Sequence, residues 1–191
     1  MRSANRRRGY TLIELVVTIL IIGVLTSISV PQYMRTVETG KADDAVSTMN
    51  MIGTTNKMFA LDHNGFYTSG VFPSGPGASC ASAYGNCTAP SAACPTVNVA
   101  ATQTNPCMLV CCKYLADQDW GDKSYAFSAC DASGGLGGGS GAGGGATSCG
   151  VGQVASAMRG SSASSPYNAW GYTMNSAGVI TANGSAPPPT F

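Results

Sequence analysis

The chain has 191 residues, only 10% of them charged, against about 25% in an ordinary soluble domain. Its length allows one modest domain with an appendage, and a formal charge of +1 excludes a strongly basic nucleic-acid binder and an acidic solvating tail. One His (His63) and few carboxylates leave little material for acid–base chemistry or a His-based metal site, so no catalytic residue, cofactor or specific nucleic-acid partner is assigned.

The charge is unevenly placed. Four of the ten basic residues, Arg2, Arg6, Arg7 and Arg8, lie in the first eight positions. Behind them comes Gly9-Tyr10-Thr11-Leu12-Ile13-Glu14-Leu15, and from Leu15 to Met34 no residue is charged. About 20 helical residues span a hydrocarbon core of ~30 Å. Only Gly23 and Pro31 oppose a regular helix there. Arginines before the run and none within it predict a cytoplasmic N-terminus, with the rest of the chain exported. A Sec signal peptide has a shorter apolar core and a small-x-small cleavage site; Ser27-Ile28-Ser29 imitates that site, but the run is too long and Pro31 follows closely. A plain signal anchor fits the hydropathy. Neither accounts for Glu14, a carboxylate at the edge of the apolar run, which is costly unless paired and is therefore a functional candidate.

The segment Gly9–Leu15 resembles the cleavage and methylation motif of type IV prepilins, which type II secretion pseudopilins share. The resemblance implies that an aspartic membrane peptidase cuts after Gly9 and that the new N-terminus, Tyr10, is N-methylated. Tyr stands where the family usually has Phe. Gly23 and Pro31 fall where the family often has a Gly and a Pro, and with Glu14 they form the expected assembly set. Physically, cleavage creates an amine at Tyr10 that can meet Glu14 of a neighbouring subunit when apolar helices pack side by side, fixing one stagger.

Beyond Pro31 the pattern stays helical. Ala42, Ala45, Val46, Met49, Ile52 and Phe59 recur at helical spacing, with Lys41, Asp43, Asp44 and Lys57 on other faces. Gly40 and Gly53 weaken the helix, and Asp62-His63-Asn64-Gly65 reads as its stop. A helix from Tyr10 to about Leu61 is roughly 75–80 Å long. The Met-rich stripe of Met49, Met51 and Met58 reads as core. Asn64-Gly65-Phe66-Tyr67 resembles the pilin helix-to-loop junction.

Residues 70–112, punctuated by Pro73, Pro76, Pro90, Pro95 and Pro106, read as loop, and Lys113-Tyr114-Leu115 begins an ordered segment. Strands are expected at Tyr125–Phe127, Val151–Met158, Trp170–Met174 and Val179–Thr181, with Asn175–Gly178 as a hairpin turn. The expected fold is therefore α+β: a long N-terminal helix packed against a small antiparallel sheet with long disulfide-bonded loops. Its expected divisions are a leader (1–9), an assembly helix (10–34), an amphipathic half-helix (35–65) and a loop-rich head (66–191), with Pro187–Pro189 as an exposed tail. Gly134–Gly145 holds nine Gly, lacks the Lys of a phosphate cradle, and reads as a flexible surface loop.

All eight cysteines, Cys80, Cys87, Cys94, Cys107, Cys111, Cys112, Cys130 and Cys149, follow the membrane run. An even number on the exported side points to disulfides, with on the order of a hundred possible connectivities. The adjacent Cys111 and Cys112 are expected to reach separate partners. No C-x-x-C pair supports a zinc or redox site. The pilin resemblance implies a bridge closing a C-terminal loop, which favours Cys130–Cys149. Asp117, Asp119 and Asp122 are weak calcium candidates, as some major pseudopilins bind calcium in a distal loop, but they depart from the EF-hand spacing and read foremost as a solvated turn. Asn86-Cys87-Thr88 and Asn183-Gly184-Ser185 match glycosylation sequons.

The reading is thus a structural subunit of a type IV pilus-like filament. The resemblance implies as partners identical or related pilin subunits, the prepilin peptidase and methyltransferase, and the assembly platform of the inner membrane. It implies a single-pass membrane precursor with a periplasmic head, then a surface pilus or periplasmic pseudopilus. The alternatives are a type II secretion pseudopilin and, from another class, a disulfide-rich secreted binding protein behind a Sec signal. Removing Met1–Gly9 leaves six basic against nine acidic side chains, so the expected mature chain carries −3.

Overall fold

The computed structural model describes residues 10–83, 87, 94, 105–132, 149–160 and 163–189. The expected leader, the Asn86 sequon and the Gly134–Gly145 loop lie outside them. The chain divides into two units, one ending at Gly40 and the other beginning at Lys41.

Helix α1 runs unbroken over Leu12–Asp62, through Gly23, Pro31, Gly40 and Gly53. In the first unit, every residue from Tyr10 to Val37 is exposed. Its hydroxyls turn back on their own backbone: Thr18 donates to the Leu15 carbonyl at 2.8 Å, Thr26 to Ile22 at 2.9 Å and Ser27 to Val24 at 2.7 Å. That internal pairing lets polar side chains reside in an otherwise apolar run.

In the second unit, the helix buries Ala42, Ala45, Val46, Met49, Ile52, Phe59 and Ala60, the face its periodicity predicts. Met51 and Met58 do not join it; they are exposed, because they fall on the opposite side of the turn from Met49. The helix ends as its sequence suggests. Asn64 takes φ 54° and Gly65 φ 86°, and the Gly65 N–H reaches back to the Ala60 carbonyl at 2.7 Å. His63 stacks on Phe59 at 3.9 Å, with Nδ1 2.9 Å from the Phe59 carbonyl.

The sheet is an antiparallel meander in the order β1 (Gly70–Val71), β2 (Tyr125–Ala129), β3 (Gln153–Arg159), β4 (Gly171–Asn175) and β5 (Ile180–Asn183). Four strands overlap the expected segments. The fifth, β1, escaped notice because two residues, one a Gly, carry no alternation. Cross-strand pairing puts Tyr125, Phe127 and Ala129 level with Arg159, Ala157 and Ala155, and the last two level with Tyr172 and Met174, on one face. The small Ala155 and Ala157 in the central strand leave room for the neighbouring rings. At Gly53 the sheet comes close to α1: a Cβ there would lie 2.5 Å from Met174 Sδ and 3.3 Å from Val154. The Gly that weakens the helix thus admits the sheet.

Asn56 joins these elements. It is fully buried, and its Nδ2 faces the carbonyls of Thr68 (3.2 Å), Cys130 (3.0 Å) and Val154 (3.0 Å). Its Oδ1 accepts from the Thr68 amide (2.9 Å) and hydroxyl (3.0 Å). One side chain therefore ties α1 to backbone before β1, after β2 and within β3, where the Val154 carbonyl also accepts from the Cys130 amide at 3.0 Å.

Short helices α2 (Cys80–Ala83) and α3 (Met108–Cys111) interrupt the region expected to be loop. Three disulfides, Cys80–Cys107, Cys87–Cys111 and Cys94–Cys112, tie the residues around them together, so adjacent Cys111 and Cys112 do reach different partners. Cys130–Cys149 is the fourth. The final prolines are more than an exposed tail, since the Tyr172 hydroxyl donates to the Pro187 carbonyl at 3.0 Å.

Candidate assembly site on the N-terminal helix

The first turn of α1 has four amide donors without helical acceptors. Thr11 and Glu14 serve two of them reciprocally: the Thr11 amide and hydroxyl both donate to Glu14 Oε2 at 3.0 Å, and the Glu14 amide donates to Thr11 Oγ1 at 3.3 Å. This is a capping box, and its Thr-x-x-Glu signature was present in the sequence though Thr11 was not singled out. Both bonds to Thr11 use Oε2, leaving Oε1 with capacity for a cation. The box explains how a carboxylate can stand at the head of an apolar helix: it complements the partial positive charge of the helix N-terminus.

Tyr10, which precedes the box, is 89% exposed. Gly9, on the other side of the expected scissile bond, lies outside the described residues. From Leu12 the helix presents Ile13, Val16, Leu20, Val24 and Ile28 to the surroundings, all at least 46% exposed. Among the described residues, α1 is the one helix long and apolar enough to cross a membrane. A Cβ at Gly23 would meet nothing within 4 Å, so no contact inside the chain requires that glycine. Pro31 sits within the helix, where its missing N–H deprives the Ser27 carbonyl of a helical partner.

The carboxylates at 117–122 are occupied locally. Asp117 accepts from the amides of Cys80 (3.0 Å) and Ala81 (2.8 Å), fastening the start of α2, and Asp119 accepts from Gly121 (3.0 Å) and Asp122 (3.3 Å). The turn is therefore a structural clasp rather than merely solvated. Among the described residues, no three His, Cys, Asp or Glu side chains are grouped to hold a metal ion.

Residues 4–30 match the family model described as the prokaryotic N-terminal methylation motif. The type II secretion system core protein G of Escherichia coli strain K12 is 38% identical over 69 residues, 36% of this chain and 48% of that protein. Prepilin peptidase-dependent protein D of the same organism is 36% identical over 64 residues, covering 34% of this chain and 44% of that protein. The type IV major pilin protein PilA of Myxococcus xanthus is 34% identical over 58 residues, covering 30% and 26% respectively. The chain thus spans about half the length of the first of these relatives and less of the others. No solved structure gives a significant match. The family-model match covers the Gly9–Leu15 motif and most of the exposed apolar helix, and the chain is thus similar in part to type II secretion core proteins and type IV pilins.

Proposed function

We propose that the chain is the precursor of a structural subunit of a type IV pilus-like filament. Prepilin peptidase cleaves it after Gly9, Tyr10 is N-methylated, and the mature chain polymerises by helix packing. The carrying observation is a helix exposed on every side from Tyr10 to Val37, with a single carboxylate, Glu14, at its apolar end. Such a surface has no use in a monomer outside lipid. In hydrocarbon, packing against like helices is non-specific until a polar pair sets the stagger. The amine freed at Tyr10 of one subunit supplies the cation for Glu14 Oε1 of another, and both charges lose their cost together. Before assembly the same helix anchors the precursor, with the arginine-rich leader cytoplasmic and the head outside. Related pilin subunits and the inner-membrane assembly platform are its partners.

A second reading, a type II secretion pseudopilin, is favoured by the match to core protein G, a protein named for that system. The two readings share every step up to polymerisation. The experiment is to sequence the mature N-terminus by mass spectrometry and to look for the chain in sheared surface filaments. N-methyl-Tyr10 is the expected result; an N-terminus at Val30 would instead mark a Sec-processed secreted protein, and intact Met1 a plain anchor. Recovery from surface filaments selects the pilus, and retention in the periplasm selects the pseudopilus. Glu14→Ala is expected to leave the precursor in the membrane and abolish its incorporation; normal filaments from that variant would refute the pairing.

A further inference from the structure

At the end of the sheet where β2 begins and β3 finishes, the second unit holds a pocket of about 300 Å³. Its described walls include Phe72, Trp120, Tyr125 and Phe127, together with two cations, Lys123 and Arg159, and no acidic side chain. The walls are preformed. Phe72 and Trp120 stack at 4.1 Å, the Trp120 amide donates to the Ala78 carbonyl at 2.8 Å, and Gly121 abuts Gly75 so closely that a Cβ would overlap its carbonyl oxygen. Arg159 is held in place by a bond from Nη1 to the Ser124 carbonyl, with its guanidinium carbon 5.7 Å from the centre of the Tyr125 ring.

The charge of this pocket is one-sided, although the hydroxyls of Ser74, Ser124 and Tyr125 also line it. Trp120 is 3% exposed, and its indole N–H has no hydrogen-bond partner within the structure. Lys123 and Arg159 are also donors with no acceptor capacity. Lys123 has a counter-charge in Asp44, 3.7 Å from its ammonium and largely exposed, which makes it a weak, displaceable partner. Asp122, next to Lys123 in sequence, is exposed. Two cationic side chains beside an aromatic wall, in a compact cavity without an acid, match an anion borne on a small organic body, and the volume is at the lower end of small-molecule sites.

We propose that this pocket binds a small organic carboxylate, one ring in size, with the carboxylate at Lys123 and Arg159 and the body against the aromatic wall. The site stands apart from filament assembly and does not depend on it. The test follows the two indole N–H resonances, of Trp120 and Trp170, in the full chain in detergent micelles during titration with benzoate, glucuronate and inorganic phosphate. Trp120→Phe assigns the peaks. Either carboxylate is expected to move the Trp120 resonance, with a dissociation constant on the order of millimolar, and to leave Trp170 in place. Benzoate or glucuronate as the tighter probe then says whether the body is apolar or a sugar acid. Phosphate, which has no body, should bind about tenfold more weakly, and Lys123→Gln and Arg159→Gln should each weaken the carboxylate about tenfold. Should Arg159→Gln disturb the Trp170 resonance, and hence the fold, Lys123→Gln alone carries the test. No movement of Trp120 with any probe, equal binding of phosphate, or undiminished binding by the Lys123 variant would each overturn the proposal.

Discussion

Replacing Asn56 by Asp changes one atom and tests how much of the fold hangs on that side chain. The acceptor at Oδ1 survives, so the Thr68 amide and hydroxyl keep their partner. The donor at Nδ2 becomes an oxygen facing the carbonyls of Thr68, Cys130 and Val154. Nδ2 has two hydrogens for three acceptors, so about two net bonds of ~1 kcal/mol each are lost. The new carboxylate, fully buried among carbonyl oxygens, must also be neutralised, and each unit by which its pKa rises costs about 1.4 kcal/mol at pH 7. Together the loss is about 3–5 kcal/mol, or a fall in Tm on the order of 10 °C for a unit of this size. The sign of the pH dependence follows. A carboxyl whose folded pKa is raised stabilises the fold below its unfolded value, about 3.9, and loses that contribution as pH rises. Asn56→Asp should therefore be less destabilised, relative to the native chain, near pH 4 than at pH 7. Asn56→Ala, with nothing to titrate, should show a deficit independent of pH. Near-UV circular dichroism melts of the full chain in detergent at both pH values measure this. An Asn56→Asp chain within about 1 kcal/mol of the native one at pH 7, or a deficit that does not shrink in acid, would refute the reasoning.

The other outcomes can be stated more briefly. Replacing both Cys130 and Cys149 by Ser opens a loop of sequence separation 19 and should cost about 3 kcal/mol in the same melts. Because the Cys130 carbonyl also faces Asn56, that loss should be non-additive with Asn56→Ala in a double-mutant cycle. The Tyr114 hydroxyl donates to Asp62 at 2.5 Å, and this bond to a carboxylate pushes the Tyr114 pKa up to about 12. In an ultraviolet titration Asp62→Asn should bring the Tyr114 phenol back towards about 10, while Tyr172, raised by its own burial, still ionises late. The raised value adds stability that is fully present below about pH 10 and disappears as pH climbs through 12.

The long helix was legible because it obeys two simple regularities in succession. An uncharged run as long as a bilayer is thick gives way to an apolar stripe of helical period, and the Asn-Gly stop needs only a left-handed residue at its end. The strands of the meander were legible where aromatic and β-branched residues gather, and β1 was not, because it exists only by pairing with β2. Asn56 was half legible: it stands between Ile52 and Phe59 on the apolar stripe, a polar residue at a core position, which is itself a signal. What the sequence could not say is which backbone groups needed it, since Thr68, Cys130 and Val154 come together only in three dimensions.

The same distinction separates the two sites. The proposed assembly helix is built from contiguous residues, so the seven from Gly9 to Leu15 carry the resemblance without any knowledge of the fold. The pocket draws Phe72, Trp120, Lys123 and Arg159 from segments spread over nearly half the chain. Each is unremarkable where it stands. Asp117-Gln118-Asp119-Trp120 looks like a turn with loose carboxylates, yet folding commits Asp117 to α2 and Asp119 to its own loop. With those acids spent on backbone amides, the cations Lys123 and Arg159 set the charge among the pocket's described walls. A segment that reads foremost as a solvated turn thus contributes, through Trp120 and the adjoining Lys123, to a pocket whose charge suits an anion.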